Sequence, residues 1–100
     1  MILYNVTVNV HEDTHEEWLK WMKEIHMPRI LNTGCFSESK IYRVLTPDPE
    51  QGVSYSVQYY ADSIENFERY QIEYAAIMHT EHTDKYEGKF TVFRSVMEKV

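Results

Sequence analysis

The chain has 100 residues, 43% hydrophobic and 14% aromatic, a composition typical of a packed globular domain rather than a disordered segment. Its net charge of −6, with ten Lys and Arg among sixteen acidic residues, argues against a nucleic-acid partner. No apolar run approaches the roughly 20 residues of a membrane span, no signal peptide is recognisable, and the single cysteine, Cys35, favours a reducing cytoplasm.

The first third of the sequence predicts a strand followed by a helix. Residues 2–10 alternate between apolar and polar positions, which is the period of a strand with one buried face. Thr14 and Glu17 have the spacing of a capping box at a helix start. Pro28 has no amide hydrogen, so the helix should kink or end there. The predicted apolar face contains Trp18, Trp21, Met22 and Ile25, with Leu19 and His26 along one flank.

The middle of the sequence predicts a β-hairpin. Residues 36–45 and residues 53–60 both read as strands, and the second of them alternates most cleanly. The segment 46–52 between them contains two of the three prolines and a glycine, which indicates a loop. Two strands joined by a short loop of this kind pair antiparallel.

The last third predicts a second helix and a final strand. Asp62 and Ser63 open the helix, with Glu65 at capping-box distance from Asp62. Gly88 ends it, and residues 90–96 supply the strand. The apolar stripe of this helix contains Ile64, Phe67, Tyr74, Ala75 and Met78, and the polar Gln71 and His82 project onto the same stripe.

This β-α-β-β-α-β order is the split βαβ pattern of ferredoxin-like folds, so we expect one α+β domain over residues 1–100. Both helices should cover one face of a four-stranded antiparallel sheet. The other face should be mixed, and such a face can be solvated or can meet a second copy across a partly wet interface. We favour the homodimer. The polar residues of this other sheet face are Asn5, Thr7, Asn9, Ser54, Ser56 and Gln58, and the strand register decides whether Leu3, Ile41, Leu45 and Phe93 interrupt it with apolar patches.

Several segments together resemble a small bacterial family of domains of unknown function: MILYNVTVNV at 1–10, WLKWM at 18–22, HMP at 26–28, YSVQY at 55–59 and EH at 81–82. The resemblance spans nearly the whole chain. That family is similar to the dimeric α+β barrel group, which includes cofactor-independent quinol monooxygenases and stress-responsive barrel proteins. The resemblance implies a homodimer through the sheet face and a pocket between helices and sheet. It transfers no reaction, because fold does not imply function.

Two histidines are the candidates for chemistry. His26 follows Trp18 and Met22 on the first helix, where it could face a pocket and bind or deprotonate a ligand. Its alternative role is a boundary histidine that donates to a carbonyl near the helix end. His82 lies on the apolar stripe of the second helix, and a buried histidine needs a hydrogen-bond partner. The expected partners are Gln71, Tyr55 or Tyr59.

The eight tyrosines suggest an aromatic pocket for a small planar ligand, or alternatively a tyrosine-rich core with hydroxyl groups at its rim. The predicted ligand-binding residues are Trp18, Met22, His26, Tyr55, Tyr59, Tyr74 and His82.

Metal and cofactor sites are not expected. His11 and His15 are four residues apart, and His79 and His82 three apart, but no third ligand is present at a recognised spacing. The chain has no glycine-rich phosphate loop and no Ser-His-Asp pattern. Cys35 has no neighbouring base and is expected to be an inert buried thiol.

The sequence supports three functional hypotheses. The first is a cytoplasmic homodimer that binds a small aromatic or planar molecule. The second is a cofactor-independent, monooxygenase-like enzyme in which His26 or His82 removes a proton from an electron-rich substrate that itself reduces oxygen. The third is a structural or protein-interaction module that uses its sheet face.

Overall fold

A computed structural model describes residues 1–46 and 51–100 and shows a four-stranded antiparallel sheet with helices packed on one face. The strand order is β2-β3-β1-β4, which is the order of a ferredoxin-like α+β fold and confirms the predicted fold class. The elements are β1 (Ile2–Val10), α1 (His15–Trp21), a π-helical turn (Met22–His26), α2 (Met27–Leu31), β2 (Glu38–Arg43), β3 (Val53–Ala61), α3 (Ile64–Glu73), α4 (Ala75–Tyr86) and β4 (Phe90–Glu98).

The strand register separates a buried face from an open face. Val8 of β1 pairs with Tyr55 of β3 and Val92 of β4, so these three side chains point the same way, toward the helices. The predicted hairpin is present as the antiparallel β2–β3 pair, and residues 47–50 of its loop lie outside the described residues. Most of the buried face comes from the two central strands: Ile2, Tyr4, Val8, Val10, Val53, Tyr55, Val57, Tyr59 and Ala61.

The first helical segment changes its winding in the middle. The amide of Met27 donates to the carbonyl of Met22, five residues earlier, so Met22–His26 form one wide turn. Pro28 then occupies the first turn of α2, where its missing amide hydrogen is tolerated. The extra residue in the turn changes the direction in which its side chains point, so Ile25 is 46% exposed and His26 is only 6% exposed. The prediction that Ile25 lies in the core is therefore wrong.

The second helical segment is also interrupted, which differs from the continuous helix that the periodicity predicts. At Tyr74 the backbone leaves the helical region (φ −128°), which separates α3 from α4. Phe67 and Tyr70 are the buried residues of α3, whereas Ile64 and Gln71, both predicted on the stripe, are exposed. No helix in the described part of the chain is both long and apolar enough to cross a membrane.

Neither predicted capping box forms. The hydroxyl of Thr14 donates to the side chain of Asp13 at 2.8 Å and makes no bond to the amides of α1. At α3 the capping residue is Ser63 rather than Asp62, and its hydroxyl accepts from the amide of Asn66 at 3.3 Å.

The open face carries a hydrogen-bonded polar row between apolar patches. The hydroxyl of Ser56 donates to Asn5 at 2.6 Å, and the Asn5 amide donates to Thr7 at 3.0 Å. The row continues through Gln58 to Tyr60. Ile41 pairs with Val57 and faces the helices, so the register excludes it from the apolar interruptions, and Leu45 lies beyond the end of β2. Apolar side chains of the open face are Leu3, Tyr42, Phe93 and Met97.

Gly52 lies immediately before β3 in a conformation that only glycine adopts easily. Its φ is +109°, and a Cβ atom there would lie 2.5 Å from the carbonyl oxygen of Val10. The close approach to β1, in addition to the positive φ, therefore excludes a side chain.

Replacing Gly52 with alanine should lower the free energy of unfolding by roughly 2 kcal/mol or more, because strain and a backbone clash add. Gly88→Ala is the matched control: its φ is +78° but its Cβ would meet nothing within 4 Å, so about 1 kcal/mol is expected. Urea denaturation of both variants measures the difference. Equal losses would contradict the close approach at Gly52.

Candidate functional site

A small cavity lies between the sheet and the helices. Its volume is about 40 Å³, which corresponds to roughly three water-sized spaces. Its wall is apolar except for three histidines, three tyrosine rings and one arginine. The lining residues are Tyr4, Val6, Val8, Met22, His26, Ile30, Val57, Tyr59, Tyr70, Met78, His79, His82, Val92 and Arg94.

His82 is held by the indole of Trp18. The Trp18 Nε1–H donates to His82 Nε2 at 2.8 Å, so the neutral imidazole carries its proton on Nδ1. The predicted partners on β3 and α3 are wrong, since a residue of α1 fills this role. Burial, with smaller contributions from the nearby His26, Arg94 and His79, lowers the pKa of His82 to about 4. Protonation at Nε2 would also place two donors face to face.

His26 is the more deeply buried of the pair. Its ring stacks on Trp21 with 4.7 Å between ring centroids, and its Nδ1 lies 3.6 Å from a carboxylate oxygen of Glu81 rather than at a backbone carbonyl. The other oxygen of Glu81 pairs with Arg29 at 2.6 Å. Because Arg29 already compensates this carboxylate, burial dominates and lowers the pKa of His26 to about 4, with Arg29 and His79 contributing.

The structure brings His26 and His82 together. Their ring centroids are 5.8 Å apart, and both rings line the cavity. The wide turn at Met22–His26 produces this meeting, because a regular helix would direct His26 along the flank.

Three side chains that sequence reasoning did not assign to the site meet at its rim. The Tyr4 hydroxyl lies 3.5 Å from His79 Nε2 and within hydrogen-bonding reach of Arg94. The sequence drew attention to His79 only as a possible metal ligand together with His82. The alternation of β4 could have identified Arg94. Val92, Arg94 and Val96 occupy every second position of this strand, so Arg94 points to the same side of the sheet as the two valines, toward the helices.

The predicted ligand-binding residues are only partly at the cavity. Met22, His26, Tyr59 and His82 line it, whereas Trp18 is not part of the lining and contacts it only indirectly, by its bond to His82. Tyr55 and Tyr74 are not part of the lining. The Tyr55 hydroxyl instead bonds His15 Nδ1 at 2.9 Å.

The remaining candidates form no further centre. Across residues 1–46 and 51–100, no group of three His, Cys, Asp or Glu side chains is placed to hold a metal ion. Cys35 is buried and free.

The fold and the interior cavity define a member of the ferredoxin-like α+β class. The chain belongs to the family described as "Domain of unknown function (DUF4286)", whose model matches residues 1–100. No curated protein matches the chain.

Solved structures share the fold at low sequence identity. One is a dimeric ferredoxin-like protein from an uncultured marine organism, with 16% identity, a TM-score of 0.71 and coverage of 100% of this chain and 95% of that one. A second is HapK from Hahella chejuensis, with 7% identity, a TM-score of 0.71 and coverage of 100% and 93%. A third is a variant of SnoaB, a cofactor-independent oxygenase from Streptomyces nogalater, with 10% identity, a TM-score of 0.63 and coverage of 98% and 91%.

The depressed pKa of His82 should make the protein less stable in acid. Between pH 6.5 and about 4, His82 is protonated in the unfolded chain but stays neutral in the folded chain. Its contribution to the free energy of unfolding is therefore fully present above pH 6.5 and is lost as the pH falls toward 4. His82→Gln keeps an acceptor for Trp18 but does not titrate. We expect its loss of unfolding free energy between pH 7 and 4.5 to be smaller than that of the parent by roughly 2 kcal/mol.

Denaturant titrations at both pH values measure this difference. The exposed His11 provides the control, since His11→Gln should retain the parent's pH dependence. An unchanged pH dependence in His82→Gln would show that His82 is not held neutral by the fold.

Proposed function

We propose that this protein binds a small molecule in the cavity beneath His26 and His82. The observation that supports this proposal is the meeting of two imidazoles, the buried His26 and the half-buried His82, contributed by separate helical segments, at one apolar space. The accepting nitrogen of His82 is engaged by Trp18, so its Nδ1–H is left as a donor. Apolar walls with a few fixed polar groups are the usual composition of a small-molecule site.

The same histidines favour binding over proton abstraction. A general base at neutral pH is most effective with a pKa near 7, whereas burial lowers both pKa values here to about 4. Removing a proton from a phenol with a pKa of about 10 would then be uphill by roughly 8 kcal/mol. The fold shared with a cofactor-independent oxygenase keeps the enzyme as the alternative proposal.

The size of the cavity restricts the ligand. An apolar cavity that takes up benzene measures about 150 Å³, and the cavity here measures about 40 Å³. A planar aromatic ligand therefore enters only if the unbranched side chains of Met22 and Met78 turn aside, which methionine does at low cost. A short aliphatic group fits with less movement.

The ligand proposal is tested with thermal shift measurements on a panel of small aromatic and aliphatic compounds, after native mass spectrometry of the freshly purified protein. A compound at 100 times its Kd should stabilise the fold by about 2.7 kcal/mol. The effect should weaken in His82→Gln and persist in His11→Gln. Equal stabilisation of both variants would place the ligand elsewhere.

An oxygen electrode with a reduced quinol separates the enzyme alternative. Oxygen consumption that His82→Gln abolishes and His11→Gln retains would replace binding by catalysis as the function.

The proposal includes a homodimer formed through the open sheet face. Helices cover only one side of the sheet, and Phe93 on the other side is 68% exposed. The polar row from Thr7 to Tyr60 is already hydrogen-bonded within the chain, so covering it would leave few unpaired groups. One protein of the same fold is described as dimeric. An interaction with a different protein through this face is the third alternative.

Phe93→Glu should break this dimer, because each copy would bury a charge in the interface. Ile72→Glu is the matched control: Ile72 is 84% exposed but lies on α3, on the opposite side of the sheet. Sedimentation velocity at micromolar concentration should give a dimer for the parent and for Ile72→Glu, and a monomer for Phe93→Glu. A monomeric parent would overturn the dimer.

The rest of the proposal concerns the setting of the protein. Residues 1–100 act as one domain, supported by the pairing of β1 with β4 near opposite ends of the chain. A cytoplasmic location is supported by the single, buried, free Cys35. The net charge of −6 opposes nucleic-acid binding.

A further inference from the structure

Arg94 is an unexpected residue in the wall of the cavity. It lies on β4 opposite Val6 and shares the helix-facing phase of that strand with Val92. It is exposed to solvent, and it also contributes to the lining of the cavity, so it lies at the open rim. Arg94 therefore places a positive charge at one end of a cavity whose wall is mostly apolar.

Within the part of the chain that the structure describes, Arg94 forms no ion pair, since no carboxylate oxygen lies within 4 Å of its nitrogens. The contrast with Arg29 is informative, because that residue is paired with Glu81. Acidic residues outnumber basic ones in this chain by sixteen to ten, so most arginines would be expected to have a carboxylate neighbour. An arginine at a cavity without such a neighbour is therefore unusual for this protein. The positive charge of Arg94 is therefore available to a bound anion.

Two neutral groups converge on the same point. Tyr4 is buried, and burial raises the pKa of its phenol, so its hydroxyl stays protonated and can donate. His79 lies 3.5 Å from that hydroxyl, and burial together with Arg94 lowers the pKa of its imidazole. The guanidinium of Arg94 and the hydroxyl of Tyr4 can both donate hydrogen bonds to the oxygens of one carboxylate, a group that arginine binds in bidentate fashion.

We propose, on the basis of the binding function above, that the ligand is a small organic acid. Its carboxylate binds Arg94 and the Tyr4 hydroxyl at the rim, beside His79. Its apolar part enters the cavity, where Met22, Met78 and other apolar side chains form the wall. An inorganic anion would use the rim but gain nothing from this wall, so the apolar part is required for affinity. The volume of about 40 Å³ favours a short chain over a ring.

The test compares acids with their uncharged amides. Propionate and propionamide, and benzoate and benzamide, are titrated into the full-length protein, and Kd values come from NMR chemical shifts of the Tyr4 and Val92 amides. Each acid should bind roughly ten- to a hundredfold more tightly than its amide, as expected for charge-assisted hydrogen bonds. Sulfate serves as the charge-only probe and should bind more weakly than propionate.

Arg94→Gln should reduce acid affinity to that of the amide and leave amide affinity unchanged. Arg43→Gln is the control, because Arg43 lies on the edge strand β2 and is not part of the cavity lining, and it should bind both as the parent does. Tyr4→Phe should weaken acid binding with little change in thermal stability.

Each outcome decides a separate point. Amides that bind as tightly as acids, or an Arg94→Gln protein with unchanged acid affinity, would overturn the organic-acid inference while the binding function stands. Sulfate binding as tight as propionate binding would overturn the role of the cavity in holding the apolar part. Absence of binding by both members of each pair would overturn the inference together with the binding function on which it rests.

Discussion

The architecture of the site depends on one backbone constraint, the missing amide hydrogen of Pro28. A regular helix through this position would leave a carbonyl unpaired and would place the proline ring against the preceding turn. The chain instead widens over Met22–His26, closed by the bond from Met27 to Met22, and then starts a fresh α-helical turn. This local solution turns His26 toward the sheet. Wide turns of this kind are frequent at functional sites in other proteins.

The bond between Trp18 and His82 gives this arrangement its second fixed point. It joins α1 to α4 across the sheet face, so the two helical segments are linked by a directional contact as well as by apolar packing. Because an indole can only donate, the bond also selects the neutral form of the imidazole. Burial, which lowers the pKa of His82, favours the same neutral form.

The sequence predicted the sheet well because strand alternation is a local signal. The period of two in β1 and β3 placed the correct side chains on each face, and the proline-rich segment marked the hairpin. The helices were predicted less well, because an assumed rotation of 100° per residue fails wherever a turn widens or breaks. That failure explains the exposed Ile25, which lies in the wide turn before Pro28.

The candidate site was predicted in part for a related reason. Helical periodicity identified His82 as an inward-facing residue, and the structure places it beside His26, as an acid–base pair of these two residues would require. The partner of His82 and the rim formed by Tyr4 and Arg94 depend on contacts between residues more than sixty positions apart. Such contacts depend on strand order and register, which a single sequence does not display residue by residue.

The position of β1 at the centre of the sheet has a consequence for how the protein folds. This strand pairs with β3 on one side and with β4 on the other, so Ile2 has partners at Ala61 and at Glu98. Long loops must close before these contacts form, and the loss of chain entropy comes before the gain from pairing. Since β4 supplies Val92 and Arg94, the cavity is complete only when the longest loop has closed. We therefore expect the cavity to form late in folding.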